Sequence, residues 1–203
     1  MSASPPRPLW AVVPVKRFTR AKSRLAGALD PAARAALARR LADHVLDVLA
    51  AGTVDAALVV TDGADAAEWA AARGVAVVDD GPARGGPLGA IVDVGLAAAA
   101  ARGGRAAIVL MSDLPRLVPD DVRALASALA PGRLVLAPDH QGTGTNALGL
   151  ALPAAAPSCF GRADSAAGHR ALAERHGLTL TVLDRGGLSD DLDDPADLAR
   201  PGP

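Results

Sequence analysis

Residues 105–117 read RAAIVLMSDLPRL, and no other stretch limits the fold so tightly. From Ala106 to Met111 every residue is apolar, and Ile108 and Val109 are β-branched. This is the pattern of a central strand buried on both faces, as parallel sheets require. The run then ends abruptly in polarity. Ser112 and Asp113 leave the strand at its carboxyl end, and Pro115 keeps Leu114 out of the α conformation before the next helix. Ligands of open α/β sheets sit outside the carboxyl ends of the strands. Asp113 is therefore either a functional carboxylate, a metal ligand foremost, or a turn or helix-capping aspartate, and this stretch alone leaves both readings open.

The rest of the chain alternates strand and helix around it. Strands are expected at residues 9–15 (LWAVVPV), 56–61, 75–78, 133–137, 147–152 and 178–183, the last alternating apolar residues with threonine as an edge strand does. Asp30 and Pro31 supply an N-cap and a first helical residue, after which Leu37, Leu41, Val45 and Leu49 recur every four residues until Gly52. Further helices are expected at 64–73, 90–101, 119–129 and 166–176. Ile91, Val94, Gly95 and Ala98 form the inward stripe of the second of these, and Val122, Leu125, Ala126 and Leu129 that of the third. The pattern predicts an α/β fold with a mostly parallel sheet flanked by helices, a single domain over residues 9–200 behind a short tail at 1–8.

Composition narrows the partners. A net charge of −1 gives no global basic field, and Trp10, Trp69, Phe18 and Phe160 are the only aromatic residues, so nucleic-acid binding is not expected. No apolar run approaches the ~18–20 residues of a membrane span. A lone Cys159 and a Pro-rich opening without an apolar core segment point to a reducing, cytoplasmic setting.

Several clusters are candidates for chemistry. Asp190, Asp191, Asp193, Asp194 and Asp197 crowd eight residues. Asp194 and Asp197 fit an N-cap and an N3 acid around Pro195. Asp191 and Asp193 lie two apart, which in extended chain projects both to one side about 6.5–7 Å apart. Oxygen ligands beside phosphates favour Mg²⁺ over zinc; a solvated acidic turn is the plain alternative. Gly142-Thr143-Gly144-Thr145-Asn146 offers close backbone approach and hydroxyl donors for an anion, as do Gly161 and Ser165 ahead of a helix start. Both also read as an ordinary loop and cap. Lys16, Arg17, Arg20, Lys22 and Arg24 follow the first strand, where α/β proteins approach phosphate, yet neither a P-loop nor a G-x-G-x-x-G fingerprint is present. His44, His140 and His176 pair with no nucleophile, and Cys159 reads as inert.

In order along the chain, VPVKRFTRAKSRL (13–25), SDLPRL (112–117), LAPDHQGTGTNAL (136–148), FGRADSAAGH (160–169) and DLDDPADL (191–198) resemble the 2-phospho-L-lactate / phosphoenolpyruvate guanylyltransferases of coenzyme F(420) biosynthesis. The resemblance implies a single-domain, Rossmann-like nucleotidyltransferase related to the sugar-nucleotide and molybdenum-cofactor enzymes. It would use Mg²⁺ to join GMP from GTP to a phosphorylated three-carbon acid, with release of pyrophosphate. Asp113, Asp191 and Asp193 would take the metal-ligand places, and Thr145, Gly161 and Ser165 would bind the acid. Val15, Lys16, Lys22, Gly86, Leu88 and Gly89 would meet the nucleotide, with Lys16, Lys22 and Asp113 as the catalytic set. The chain departs from the family's usual Leu-Asn pair with GGPLGAI at 85–91, which looks like the molybdopterin nucleotidyltransferases, and its 161–165 segment is one residue longer. A molybdopterin guanylyl- or cytidylyltransferase and a non-catalytic nucleotide-binding module are the alternatives. Phosphoenolpyruvate is the preferred acceptor, on composition rather than on any residue, and the oligomeric state is not readable.

Overall fold

The apolar run forms β4 (Ala106–Leu110), the middle strand of a seven-stranded sheet in the computed structural model, which describes residues 6–198. With β1 (Leu9–Pro14), β2 (Ala56–Thr61), β3 (Ala76–Asp79), β5 (Arg133–Pro138), β6 (Thr145–Ala151) and β7 (Thr179–Val182), the order is β3-β2-β1-β4-β6-β5-β7. All neighbours pair in parallel except β6, which runs antiparallel to both β4 and β5. The reason is loop length: residues 139–144 are enough for a hairpin from β5 to β6 and too few for a parallel crossover. The reversal brings the amino end of β6, Thr145 and Asn146, to the edge where the parallel strands end. β7 closes one side of the sheet as the expected edge strand.

Strand alternation divides the core. Ala106, Ile108 and Leu110 join one cluster with Ala42 and Val45 of α1 (Pro31–Ala50), Trp69 of α2 (Ala64–Ala72) and Val122 and Leu125 of α4 (Pro119–Ala128). Ala107 and Val109 face Val92, Leu96 and Ala99 of α3 (Leu88–Ala101) and Leu172 of α5 (Ser165–Arg175). Burial of these two clusters is the main stabilising term of the domain. Asp30 caps α1 as expected, its Oδ1 accepting from the Ala33 N–H at 2.8 Å.

Two details differ from expectation. The buried side of α3 is Gly89, Val92, Gly95, Leu96 and Ala99, while Ile91, Val94 and Ala98 are only half-buried. Apart from Asp93 the helix is apolar all round, so periodicity does not choose the face. Packing does: a Cβ on Gly95 would lie 2.5 Å from Val60 Cγ2 and 2.6 Å from Val12 Cγ1, so the helix backbone itself rests on β1 and β2. Ser165 is the first residue of α5, with Asp164 at the N-cap position.

Of the expected tail, residues 1–5 lie outside the described residues, as do 199 and 200 at the far domain boundary. The next few residues are already tied to the sheet, the Pro8 carbonyl accepting from the Arg105 N–H at 2.9 Å. Two short helices, α6 (Gly186–Ser189) and α7 (Pro195–Leu198), flank the acidic segment. Among the described residues no helix is long and apolar enough to cross a membrane.

Candidate active site

A cavity of about 410 Å³ opens at the carboxyl edge, where the loops after β1, β2, β3 and β4 meet. After β1 the chain makes two 3₁₀ turns, Phe18–Arg20 and Ser23–Gly27, joined by Lys22 in the left-handed conformation, φ 53° and ψ 39°. That backbone carries the Lys22 side chain inward until it is 7% exposed. Its ammonium donates to Asp113 Oδ2 at 2.6 Å and to Asp193 Oδ1 at 3.0 Å. Two carboxylates, 91 and 171 positions downstream of Lys22, thus share its ammonium as donor.

The electrostatics follow from that geometry. Burial alone would lower the Lys22 pKa, but the charges of Asp113 and Asp193 outweigh it and hold the group above its ordinary value. Burial pushes Asp113 up, opposed by Lys22 and reinforced by Asp193. Burial also acts upward on Asp193, yet Lys22 and Arg24 leave it net below the usual carboxylate range. Asp191 is raised by burial and then by the charge of Asp113.

The acidic segment reaches the site by lying across the ends of β4 and β6. The Leu192 N–H donates to the Asp113 carbonyl at 3.1 Å, the His140 N–H to the Ser189 carbonyl at 2.9 Å, and Arg116 pairs with Asp190 at 2.9 Å. Further back, Arg185 Nε donates to the buried Asp121 of α4 at 2.6 Å. Asp194 and Asp197 do the capping expected of them: Asp194 Oδ1 accepts from the Ala196 N–H at 2.8 Å, and Asp197 Oδ2 from the Asp193 and Asp194 N–H groups.

The expected convergence of Asp113, Asp191 and Asp193 on one cation-sized space takes a different form. Lys22 stands between Asp113 and Asp193, while Asp191 accepts from Asn146 Nδ2 at 3.4 Å and lies 3.8 Å from His140 Nδ1. Among the described residues no three His, Cys, Asp or Glu side chains form a metal-holding group as they stand. The donor set nevertheless suits a hard divalent cation: all ligands are carboxylate oxygens, and two of them already share one positive group.

The other candidates separate into those on the cavity and those behind it. Val15, Lys16, Gly86, Leu88 and Gly161 line it together with Lys22, Asp113 and Asp193. Gly161 has φ +80°, and a Cβ there would lie 2.8 Å from Leu88 Cβ, so the acid-binding and nucleotide-binding candidates touch only because residue 161 is glycine. Gly89 is buried, with its carbonyl accepting from Ser158 Oγ at 3.2 Å. Thr145 and Ser165 are buried too, and their hydroxyls face each other: Ser165 Oγ donates to Thr145 Oγ1 at 3.1 Å.

In loop 142–146 and at the α5 start, several of the backbone donors are already engaged. The Gly142 N–H goes to the Asp139 carbonyl, the Thr143 N–H to Asp139 Oδ1 and the Ala166 N–H to the Thr143 carbonyl. These donors are spent on the loop itself.

Sequence reasoning missed His169. It is fully buried, its Nε2 accepting from the Cys159 N–H at 2.9 Å and its Nδ1 lying 3.0 Å from Thr145 Oγ1. Since Nε2 accepts, Nδ1 carries the proton of the neutral ring and donates. The Ser165 backbone is a second hydrogen-bond partner of the ring. The Ser165–His169 spacing of four on a helix was the available signal.

The family described as guanylyl transferase CofC like matches residues 9–200. A phosphoenolpyruvate guanylyltransferase of Sphaerobacter thermophilus is 42% identical over 190 residues, covering 93% of this chain and 89% of that protein. A 3-phospho-D-glycerate guanylyltransferase of Phenylobacterium zucineum is 38% identical over 191 residues, covering 92% and 86%. In fold, the chain is similar to a Desulfovibrio desulfuricans protein described as a nucleotide-diphospho-sugar transferase, with a TM-score of 0.79 at 20% identity over 94% of this chain and 84% of that one.

Proposed function

The chain belongs to the CofC-like guanylyl transferase family, and from that premise we propose that it transfers GMP from GTP to the phosphate of phosphoenolpyruvate, releasing pyrophosphate, in coenzyme F(420) biosynthesis. The observation that carries the reading is the meeting of Lys22, Asp113 and Asp193 at the carboxyl edge, in one cavity with Lys16. Such a site handles phosphates by position and charge.

The acceptor's phosphate oxygen is anionic at neutral pH and needs no activated Ser, Cys or His. It attacks the α-phosphorus of GTP, the bond from that phosphorus to the α,β-bridging oxygen breaks, and pyrophosphate leaves with the electron pair. Lys16 and Lys22 steady the charge on the leaving side. Asp113, Asp191 and Asp193 are the side chains that would hold Mg²⁺, which when bound neutralises charge on the phosphates. Thr145, Gly161 and Ser165 are the acceptor side of the site: Gly161 faces the cavity, and the paired Thr145 and Ser165 hydroxyls stand behind it.

A second reading, a molybdopterin-type guanylyl- or cytidylyltransferase, rests on Gly86 and Leu88 of the GGPLGAI segment lining the same cavity. Pyrophosphate release across a panel of nucleotides and acceptors separates the two, and product mass identifies the acceptor. The protein is given GTP, Mg²⁺ and a mixture of phosphoenolpyruvate, 2-phospho-L-lactate and 3-phospho-D-glycerate, and the products are weighed by mass spectrometry. The phosphoenolpyruvate adduct is expected to dominate; no adduct of any of the three overturns the proposal. Asp113→Asn is expected to lower turnover by about 100-fold or more and to cost much less in melting temperature, because the amide keeps the side-chain volume and Asp193 stays beside Lys22. Undiminished pyrophosphate release by that variant would remove Asp113 from the mechanism.

A further inference from the structure

Two aspartates follow β3, and they do different things. Asp79 closes the turn: its Oδ1 accepts from the Gly81 N–H at 2.7 Å and its Oδ2 from Arg84 Nη2 at 2.5 Å. Asp80 has no such duty. Its side chain is 1% exposed and lines the cavity, yet neither carboxylate oxygen has a hydrogen-bond partner among the described residues. The nearest cation, Arg84 Nε, is 3.5 Å from Oδ1 and its terminal nitrogen is committed to Asp79. Asp62, also on the cavity, adds repulsion rather than relief. A buried carboxylate with two free oxygens is costly unless something supplies donors.

The sheet tells where that carboxylate sits. β3 is three strands from β4, so Asp80 stands about 14 Å along the carboxyl edge from Asp113, roughly the reach of an extended nucleoside triphosphate. Val15, Val60, Leu88 and Ile91 give the cavity apolar walls, suited to a flat ring. A ligand that satisfies both oxygens at once must present two adjacent N–H donors. Guanine does so with N1–H and the N2 amino group. Adenine and cytosine set one amino group beside an acceptor, and uracil sets one N–H between two carbonyls.

We propose that Asp80 is the residue that selects guanine, its two carboxylate oxygens accepting from N1–H and N2–H of the base. The proposal rests on the guanylyl-transfer reading above and adds its specificity determinant.

The test compares pyrophosphate release from GTP, ITP, XTP and ATP, with Mg²⁺ and phosphoenolpyruvate, for the whole protein and for Asp80→Asn and Asp80→Ala. The unaltered protein is expected to prefer GTP, to lose about 10-fold or more on ITP, which lacks the N2 amino group, and to reject ATP by about 10⁴-fold. Asp80→Asn pairs one donor and one acceptor with xanthine's N1–H and O2, and its preference is expected to turn from GTP to XTP. Asp80→Ala is expected to bring the GTP-to-ATP ratio toward unity. Each ratio is taken on one preparation, so loss of folded protein cancels. If the unaltered protein does not prefer GTP, the guanylyl-transfer reading falls and this proposal with it. If it does, and both variants keep that preference, Asp80 alone is overturned.

Discussion

Lys22 is the sole non-glycine residue with positive φ among those described, and the strain of about 1–2 kcal/mol has a visible return in its contacts with Asp113 and Asp193. Lys22→Ala and Lys22→Gly both remove the ammonium and are expected to abolish turnover. They differ in the backbone alone, so the glycine variant should be more stable by about 1 kcal/mol in urea unfolding. Equal stabilities would mean the conformation is not strained. The charge pattern offers five cations in this loop, of which only the family resemblance picks out Lys16 and Lys22. The structure ranks them by partner: Arg17 Nη2 donates to the Asp62 carbonyl at 3.1 Å, Arg24 reaches Asp193 at 3.5 Å, Lys16 is exposed on the cavity, and Lys22 is buried between acids. Charge was legible, whereas burial depends on a turn that no residue pattern announces.

Packing of elements shows the same division. Strands β1, β2 and β4 were legible because residues buried on both sides of a sheet must be apolar throughout, and the α1 start because Asp30-Pro31 has a local mechanism. The seat of α3 was not, because alanine on every side leaves the helix free to turn until Gly95 meets Val12 and Val60. Gly95→Ala should gain up to about 1 kcal/mol of helix propensity and lose about 1–3 kcal/mol to overpacking, a net destabilisation of roughly 1 kcal/mol measurable as a lower urea midpoint. A higher midpoint would show that the helix can slide away. The direction of β6 was within reach of sequence reasoning, since the loop of 139–144 admits only a hairpin.

At the scale of the whole molecule, His169 joins β6, α5 and the chain at Cys159. Burial, the largest cause, lowers its pKa from 6.5 to about 4. The unfolded chain therefore takes up this proton more readily. The stability tied to the neutral ring is complete above pH 6.5 and is lost as pH falls from there through about 4, in all on the order of 3 kcal/mol. His169→Gln should be less stable at pH 7.5 but flatter than the unaltered protein between pH 6.5 and 4.5; parallel urea midpoints across that range would contradict the assignment. The fold and the ordered motifs were legible, and the resemblance joined Thr145 to Ser165, but the place of His169 between them was not, since it depends on a hairpin and a helix meeting in space.

The segment bearing Asp191 and Asp193 is held down through contacts such as Leu192 to Asp113 and Arg116 to Asp190, with no strand ladder of its own. Such a segment opens at a fraction of the free energy that melts a seven-stranded sheet. Competence and foldedness are consequently two separate quantities in this molecule, and on warming the first runs out before the second.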